Sequence, residues 1–171
     1  MTLPTPLLEP VAELTVFVAP PIEAGAVTGL NSRGRRRIIP ITGGHFRLAP
    51  APSVGGAAPD PAWITGTVLP GGADFQIVVS DTCADLDARY LLQLDNGEHV
   101  FVMNRALRRG TAADIAKLVR GEPVDPQTIY FRCVPTFEVS HPSLAWLTEN
   151  VFVGSGARFP DRVEMRFFRV A

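Results

Sequence analysis

Apolar and polar residues alternate over many short stretches of this chain, with the period of a half-buried β-strand. The pattern predicts strands at residues 13–19, 38–48, 63–69, 74–80, 86–94, 99–105, 128–138, 150–153 and 162–170. Pro40 interrupts one of these strands, and the pair Gly43-Gly44 in the same strand indicates a bulge or a close approach of two backbones. Short strands separated by turn residues are typical of a sandwich or a barrel.

Residues 111–120 show instead the period of a short amphipathic helix. Thr111 is the expected N-cap, with Asp114 three residues later, and Gly121 is expected to end the helix. The apolar stripe of this helix comprises Ile115, Leu118 and Val119. Residues 143–148 are expected to form a single helical turn.

The pattern also predicts a β-hairpin around Asn96-Gly97, with arms at residues 86–94 and 99–105. A type I′ turn at this dipeptide would place Arg89 opposite Asn104. One face of the hairpin would then be nearly all apolar, comprising Tyr90, Leu92, Phe101 and Met103. The other face would mix aliphatic side chains with polar ones, which fits the wall of a ligand pocket better than a dry core.

About nine or ten strands with one short helix favour an all-β fold, a single closed β-barrel, with a β-sandwich as the alternative. A closed barrel removes exposed sheet edges and, at eight or more strands, has room for one small ligand. Residues 11–171 are expected to form this domain, after a flexible arm at residues 1–10. Residues 49–61 are rich in Pro, Ala and Gly, and predict a mobile loop.

The balance of charge excludes a broadly cationic protein, because 16 Lys and Arg residues stand against 17 Asp and Glu residues. We therefore expect neither nucleic acid nor a membrane as a partner. No apolar run approaches the roughly 20 residues that span a bilayer, and residues 1–10 lack the basic segment of a signal peptide. Cys83 and Cys133 are the only cysteines, which is typical of buried thiols in a reducing compartment. These features predict a cytoplasmic protein.

Several charged and hydroxyl side chains fall on faces that the predicted barrel turns inward. Asp74 and Asp87 are the candidate catalytic bases, since a carboxylate near arginines can remove a proton beside a carbonyl group. Arg132 is expected to stabilise the resulting oxyanion. Tyr130, on the same strand face, is expected to orient the substrate. The candidate substrate-binding residues are Arg89, Asn104, Trp146 and Glu138.

The same residues have plainer explanations. Asp87 and Arg89 equally fit a structural ion pair on a solvated sheet face, and Tyr130 and Arg132 fit a buried network that fixes strand register. The basic run at residues 33–37 fits a solvated strand end. The three histidines lie far apart in the sequence, without metal-ligand spacing to each other or to a cysteine. We therefore expect no metal and no other cofactor.

Several motifs follow one another along the chain: Arg36-Arg37-Ile38-Ile39-Pro40-Ile41-Thr42-Gly43-Gly44, Leu69-Pro70-Gly71-Gly72-Ala73-Asp74-Phe75, Leu86-Asp87-Ala88-Arg89-Tyr90, Asn104-Arg105, Tyr130-Phe131-Arg132 and Phe152-Val153-Gly154-Ser155-Gly156-Ala157-Arg158. From about Leu14 to Val170 the chain thus resembles the bacterial proteins of domain of unknown function 3237. The resemblance implies a small β-barrel, broadly lipocalin-like in shape and dimeric, and it says little about activity, because the family is named for having no assigned function. The chain departs from the family pattern at Phe75, where Trp is expected, and in the Ala-Pro insertion from Ala49.

Three functions fit these features. The first is an enzyme that acts without a cofactor on a small oxygenated organic molecule, by isomerisation, hydration or dehydration, or cyclisation. The second is a non-catalytic carrier that holds a small molecule in the same lumen. The third is an assembly module, in which the apolar hairpin face packs against a second subunit of a homodimer.

Overall fold

The structure, a computed structural model, describes residues 2–29, 33–52 and 62–171. The strands are β1 (Leu8–Val18), β2 (Ile22–Thr28), β3 (Arg33–Leu48), β4 (Ile64–Val68), β5 (Ala73–Ser80), β6 (Cys83–Leu94), β7 (His99–Arg109), β8 (Tyr130–Val139), β9 (Phe152–Arg158) and β10 (Arg162–Val170). A helix, α1 (Ala112–Arg120), and two 3₁₀ segments, Pro126–Thr128 and Pro142–Leu147, complete the chain. Most of the loop predicted at residues 49–61 lies outside the described residues.

The ten strands form one antiparallel sheet that closes into an eight-strand barrel with two extra strands. Two positions in the wall are each shared by a pair of shorter strands. β1 and β2 pair with successive parts of β3 on either side of Pro20-Pro21, and β4 and β5 fill the space between β3 and β6 on either side of residues 69–72. Proline cannot donate to a ladder, which explains the first break. The predicted all-β barrel is confirmed.

The first strand begins earlier than predicted. Leu8 pairs with Val170 and Pro10 pairs with Phe168, so these residues belong to the wall instead of to a flexible arm at residues 1–10. The register shifts between Pro10 and Ala12. Proline is rare inside strands but is accepted at a bulge. The prolines among residues 1–10 therefore made this segment resemble a flexible arm in the sequence.

The hairpin between β6 and β7 has a different register from the one predicted. Gly97 donates its N–H to Leu94 O at 2.9 Å, and Leu94 donates to Glu98 O at 2.8 Å, so the loop has three residues with Gly97 at φ 89°. Three-residue loops of this kind place glycine in the left-handed region and shift the pairing by one residue. Arg89 therefore pairs with Met103, and Asn104 pairs with Ala88.

The glycine pair in β3 confirms the predicted close approach. A Cβ atom on Gly44, at φ 143°, would lie 2.1 Å from the carbonyl oxygen of Thr15. The β1–β3 register also shifts beside Gly43, between Phe17 and Val18. The two glycines thus let β3 cross β1 closely while the barrel wall bends.

Helix α1 has the ends that its sequence predicts. The Thr111 side chain accepts the N–H of Asp114 at 3.1 Å, and Gly121 ends the helix at φ 75°. Although the helix has an apolar stripe, none of its residues is fully buried. It follows β7 directly and therefore lies at the end of the barrel where β6 begins.

The interior differs between the two ends of the barrel. At the β6–β7 hairpin end the interior is apolar, with Phe46, Leu92, Val100, Phe152 and Phe167 buried. The 3₁₀ segment Pro142–Leu147 closes this end with three buried side chains, those of Leu144, Trp146 and Leu147. At the opposite end, which we call the mouth, β6 begins and β7 ends, and buried polar residues replace the apolar ones.

Candidate functional site

A small cavity of about 50 Å³ lies inside the barrel, between the apolar end and the mouth. Most of its lining is aliphatic, but six polar residues line it from four strands. We call these six the lumen site: Asp74 and Gln76 on β5, Tyr90 on β6, Asn104 and Arg108 on β7, and Arg158 at the end of β9.

Strand alternation explains why these side chains meet. Asp74 and Gln76 are two residues apart on β5, as are the inward positions Asn104, Ala106 and Arg108 on β7, so each set lies on one face of its strand. The register aligns Asp74 with Ala88, and Ala88 with Asn104. The lumen site is therefore fixed by the barrel wall, which is stiffer than a loop.

Asp74 is the one carboxyl among the residues that line this cavity. Its Oδ2 accepts Gln76 Nε2 at 2.6 Å, and its Oδ1 accepts the backbone N–H of Asp87 at 3.1 Å. Burial raises the pKa of Asp74 above its ordinary value, against the smaller lowering effects of the Gln76 hydrogen bond and the Arg108 charge. The carboxyl therefore holds a proton more tightly than an exposed aspartate does.

Arg108 and Arg158 bring positive charge into the cavity without a carboxylate partner. Among the described residues neither guanidinium forms an ion pair, and Arg108 Nε and Arg158 Nη1 are buried without a hydrogen-bond acceptor. Burial lowers the pKa of Arg108 to about 10, helped by the nearby positive charge of Arg158. Burial also lowers the pKa of Arg158, with Arg37 as the next cause. Both side chains remain cationic at neutral pH and favour an anion between them.

Three uncharged groups in the cavity also lack partners. The Tyr90 hydroxyl, Asn104 Oδ1 and Gln76 Oε1 are buried and unpaired among the described residues. Burial raises the pKa of Tyr90, so its hydroxyl keeps its proton and can donate it in a hydrogen bond. Buried polar atoms without partners are costly, and in a cavity they are the groups that an oxygenated ligand would satisfy.

Cys133 faces the interior beside this site but is poorly suited to act as a nucleophile. It is 3% exposed, and burial raises the pKa of its thiol to about 12. At neutral pH the reactive thiolate is therefore nearly absent. We assign Cys133 a packing role next to Gly154, where an added Cβ would lie 2.7 Å from its sulfur.

The structure brings together two of the sequence-predicted site residues, Asp74 and Asn104, in the lumen. The predicted inward positions of Asp87 and Arg89 are wrong. Arg89 is exposed, and its Nη2 pairs with Asp87 Oδ2 at 3.1 Å on the outer face of β6. The physical reason is the hairpin register, because a slip of one residue moves Asn104 to the face opposite Arg89.

The predicted inward face of β8 is also wrong. Phe131 and Cys133 are buried, so Tyr130, Arg132 and Glu138 lie on the outside, where all three are exposed. The inner face of β8 is apolar throughout, whereas the outer face carries Arg132, Thr136 and Glu138. Alternation therefore marks the inward face of β8 correctly, and the expectation of a polar lumen wall overrode this signal. Trp146 is buried in the closed end of the barrel against Phe152, away from the lumen site.

Tyr130 and Arg132 instead line an open groove on the outer wall, which we call the outer groove. Two guanidiniums contact the Tyr130 ring, with the Arg109 Cζ atom 4.9 Å and the Arg132 Cζ atom 5.3 Å from the ring centroid. The groove holds about 840 Å³ but is open to solvent. In the described residues its polar atoms lack the burial and convergence seen in the lumen, which is why we place the candidate site inside the barrel.

Sequence reasoning missed Gln76, Tyr90, Arg108 and Arg158. A usable signal was present on β7, where Val100, Val102, Asn104, Ala106 and Arg108 share one parity. A cation that ends an otherwise apolar series is either at the rim or in the interior of a barrel. Arg158 ends a similar series on β9, after Phe152, Gly154 and Gly156.

Within residues 2–29, 33–52 and 62–171, no group of three or more His, Cys, Asp or Glu side chains is arranged to hold a metal ion. No helix in the same residues combines the length and apolar character needed to cross a membrane.

Comparison with known proteins settles the family. The sequence model described as "Protein of unknown function (DUF3237)" matches residues 6–170. The chain belongs to this family. The resemblance found in the sequence motifs is thereby confirmed. A DUF3237 relative, a UPF0311 protein of Rhodopseudomonas palustris, is 43% identical over 161 residues, covering 93% of this chain and 94% of that protein.

Solved structures show that the DUF3237 barrel recurs among relatives. The crystal structure of the Rhodopseudomonas palustris protein, described as a conserved protein of unknown function, matches with a TM-score of 0.82 at 39% identity, over 99% of this chain and 100% of that chain. A β-barrel like protein from Acinetobacter baumannii AYE matches with a TM-score of 0.76 at 35% identity, over 99% of each chain. An enzyme from Penicillium herquei matches with a TM-score of 0.60 at 17% identity, over 100% of this chain and 99% of that chain, which shows a shared fold alone.

Proposed function

We propose that the lumen site binds the carbonyl or carboxylate end of a small organic molecule, and that Asp74 transfers a proton on it. One observation carries this proposal. Two guanidiniums without carboxylate partners, the buried one of Arg108 and the half-buried one of Arg158, share a cavity with one carboxyl whose pKa burial raises. Positive charge in excess of negative charge inside a barrel favours an anionic or strongly polarised oxygen.

The proposed reaction uses these groups in sequence. The Asp74 carboxylate removes a proton from the carbon beside the carbonyl, and the electron pair of that C–H bond moves onto the carbonyl oxygen. Arg108 and Arg158 stabilise the oxyanion that forms. Asp74 then returns its proton to a different position, which completes an isomerisation. A raised pKa suits this role, because a general base works best when its pKa lies closer to the ambient pH.

The unpaired neutral groups orient the substrate. The Tyr90 hydroxyl can donate to a substrate oxygen, and Asn104 Oδ1 can accept from a hydroxyl group. The cavity of about 50 Å³ admits only a few non-hydrogen atoms. It therefore holds the reacting end of a molecule, and the remainder must lie towards the mouth.

Exchange of substrate hydrogen with solvent tests this function across a whole class of carbonyl compounds. The protein is incubated in D₂O with a panel of 2-oxo acids, 3-oxo acids and cyclic ketones, and deuterium incorporation beside the carbonyl is followed by ¹H NMR. We expect catalysed exchange with at least one panel member, lost in Asp74→Asn. Asp85→Asn, which removes an outward-facing carboxylate on β6, is the matched control and should retain the exchange. Exchange that survives in Asp74→Asn would remove this residue from the mechanism.

One observation favours a non-catalytic carrier as the second candidate. Both Asp74 oxygens already accept hydrogen bonds within the protein, from Gln76 and from the Asp87 backbone. A base that must leave two hydrogen bonds to reach a C–H bond is slowed. Binding of panel molecules that depends on Arg108, without any deuterium incorporation, would establish the carrier.

A further inference from the structure

A second cavity of about 510 Å³ lies at the mouth of the barrel, and we call it the mouth pocket. It lies between α1 and the parts of β3, β5, β6 and β7 that form the mouth. Arg108 lines both this pocket and the lumen. The two spaces are therefore neighbours along the barrel axis.

Strand register shows that the mouth pocket is the next layer of the same interior. On β3, Arg35 and Arg37 precede the lumen residue Ile39 at steps of two. Ile39 pairs with Asp74, and Arg35 pairs with Val78. Four residues of strand span about 13 Å, which sets the distance from the Asp74 layer to the Arg35 layer.

One wall of the mouth pocket is basic. Arg37 is 8% exposed and already bound to Glu23, with Nε at 2.6 Å from Oε1, whereas Arg108 is 4% exposed and its Nε is unpaired. Arg35 is exposed at the rim. Asp81 is the single acidic residue among those that line the pocket. The excess of positive charge on this wall favours an anionic group.

The opposite wall belongs to α1 and is apolar apart from Arg120, which forms an ion pair with Glu122. Ala112, Ile115, Ala116 and Val119 all line the pocket. Ile115 packs half-buried against the core, whereas Ala112, Ala116 and Val119 are exposed, Val119 at 56%. A helix normally covers its apolar residues by packing them against the core. Here the exposed ones line a pocket that basic residues also line, in a space large enough for a ring.

We infer that the mouth pocket holds the apolar body of a small organic acid against α1, with its anionic group on the arginines of β3. This inference rests on the proposed function, because the reacting end of the same molecule would lie in the lumen site. It narrows the substrate class to molecules about 13 Å or less in length that combine a ring or branched chain, an anionic group and a carbonyl. Neither wall alone would select such a molecule.

Four probes separate the contributions of the two walls. Benzoate has both a ring and a carboxylate, acetate has the carboxylate alone, benzyl alcohol has the ring alone, and phenyl phosphate replaces the carboxylate. Binding is measured by isothermal titration calorimetry at fixed ionic strength. We expect benzoate to bind at least about tenfold more tightly than acetate or benzyl alcohol, since a buried ring face and a charge-assisted hydrogen bond each contribute. The comparison with phenyl phosphate identifies which anion the arginines prefer.

Variants then assign the effect to the mouth pocket. Arg35→Gln should lower the affinity for benzoate at least about fivefold. Val119→Ser should lower the affinity for benzoate and leave the affinity for acetate unchanged. Arg105→Gln and Val134→Ser are the matched controls, because both residues are exposed on the outer wall, Val134 at 54%. Melting temperatures of all variants exclude loss of folding as the cause.

The outcomes distinguish this inference from the proposed function. Equal affinity for benzoate and acetate, unaffected by Arg35→Gln and Val119→Ser but lost in Arg108→Gln, would overturn the mouth pocket and leave the lumen site standing. Acetate binding that survives in Arg108→Gln would count against the lumen site, whereas benzoate binding that survives there and is lost in Arg35→Gln would support the mouth pocket. Absence of binding by all four probes would also overturn the mouth pocket, while deuterium exchange would still report on Asp74 separately.

Discussion

The backbone N–H of Asp87 donates to the Asp74 carboxylate at 3.1 Å, whereas the Asp87 side chain lies on the outer face of the barrel beside Arg89. A single residue of β6 thus contributes its backbone to the interior and its side chain to the exterior. Two aspartates that are equivalent candidates in sequence consequently differ in environment. Asp74 is withdrawn from water, whereas Asp87 forms an ion pair with the exposed Arg89.

The first prediction concerns the outward pair. Asp87→Asn and Arg89→Gln should each leave the melting temperature and the deuterium exchange of panel substrates close to those of the wild type, because exposed ion pairs contribute little to stability. The backbone N–H that Asp87 donates to Asp74 survives both changes. Differential scanning fluorimetry and ¹H NMR check the two parts. Loss of exchange in Asp87→Asn would restore this residue as a catalytic candidate.

The second prediction follows from the raised pKa of Asp74. The folded protein binds this proton more tightly than the unfolded chain does, so Asp74 stabilises the fold most fully below 3.8, the ordinary pKa of an aspartate. This contribution is lost as pH rises through the folded-state pKa. The stability advantage of the wild type over Asp74→Asn should therefore shrink from acidic to neutral pH. Urea unfolding across this range measures it.

We expect the Asp74→Asn variant to fold, because the asparagine can form hydrogen bonds with the same two partners as the aspartate. Its new amide N–H₂ can donate to Gln76 Oε1, which is unpaired in the wild type, once the Gln76 amide turns over. The remaining side-chain oxygen at this position can still accept the Asp87 N–H. A difference between the two proteins that stays constant with pH would contradict the raised pKa.

The third prediction separates stability from binding at Arg108. A buried guanidinium without an ion-pair partner costs desolvation energy that no carboxylate offsets. Arg108→Met keeps most of the side-chain volume and removes this cost, so it should stabilise folding by about 1–4 kcal/mol while abolishing anion binding in the lumen. Urea unfolding and acetate titration measure the two effects.

Arg105→Met is the control for the Arg108 variant. Arg105 lies three residues earlier on the outer face of β7, where its Nη2 is 3.5 Å from Asp85 Oδ2. This change should affect neither acetate binding nor folding to a comparable degree. If Arg108→Met instead lowers stability, the arginine would have a structural role in place of a ligand-binding one.

Nine of the ten strands and the ends of the helix followed from local signals, whereas β2 (Ile22–Thr28), which is almost entirely exposed, was not predicted. Alternation marks a strand wherever it lies, and Thr111 and Gly121 act on their own helix alone. Which face of a strand points inward is a different kind of property. It depends on pairing with other strands, as the register of the β6–β7 hairpin shows. On β8 a local signal was present, because the face of Phe131 is apolar throughout while the Tyr130 face carries Arg132, Thr136 and Glu138.

The lumen site was not predicted correctly because the β6–β7 turn has one residue more than expected. A two-residue Asn-Gly turn and the observed three-residue loop ending at Gly97 differ by a single residue, and that difference moved Asn104 away from its true neighbours. Arg108 could have been assigned from its own strand, because it continues the parity of Val100 and Val102. Arg158 likewise continues the parity of Phe152 and Gly156 on β9, but its approach to Asp74 depends on closure of the whole barrel.

The fourth prediction tests the close approach on which that closure depends. Gly44→Ala would place a Cβ 2.1 Å from the Thr15 carbonyl oxygen, at a φ of 143° that side chains avoid, so β1 and β3 must separate. We expect a loss of more than about 3 kcal/mol in urea unfolding, or failure to fold. Gly25→Ala is the control, because it has a φ of 89° but no described atom within 4 Å of the added Cβ. That variant should lose only about 1–2 kcal/mol, from backbone conformation alone. Equal losses in the two variants would show that conformation, and not the contact with Thr15, makes glycine necessary at position 44.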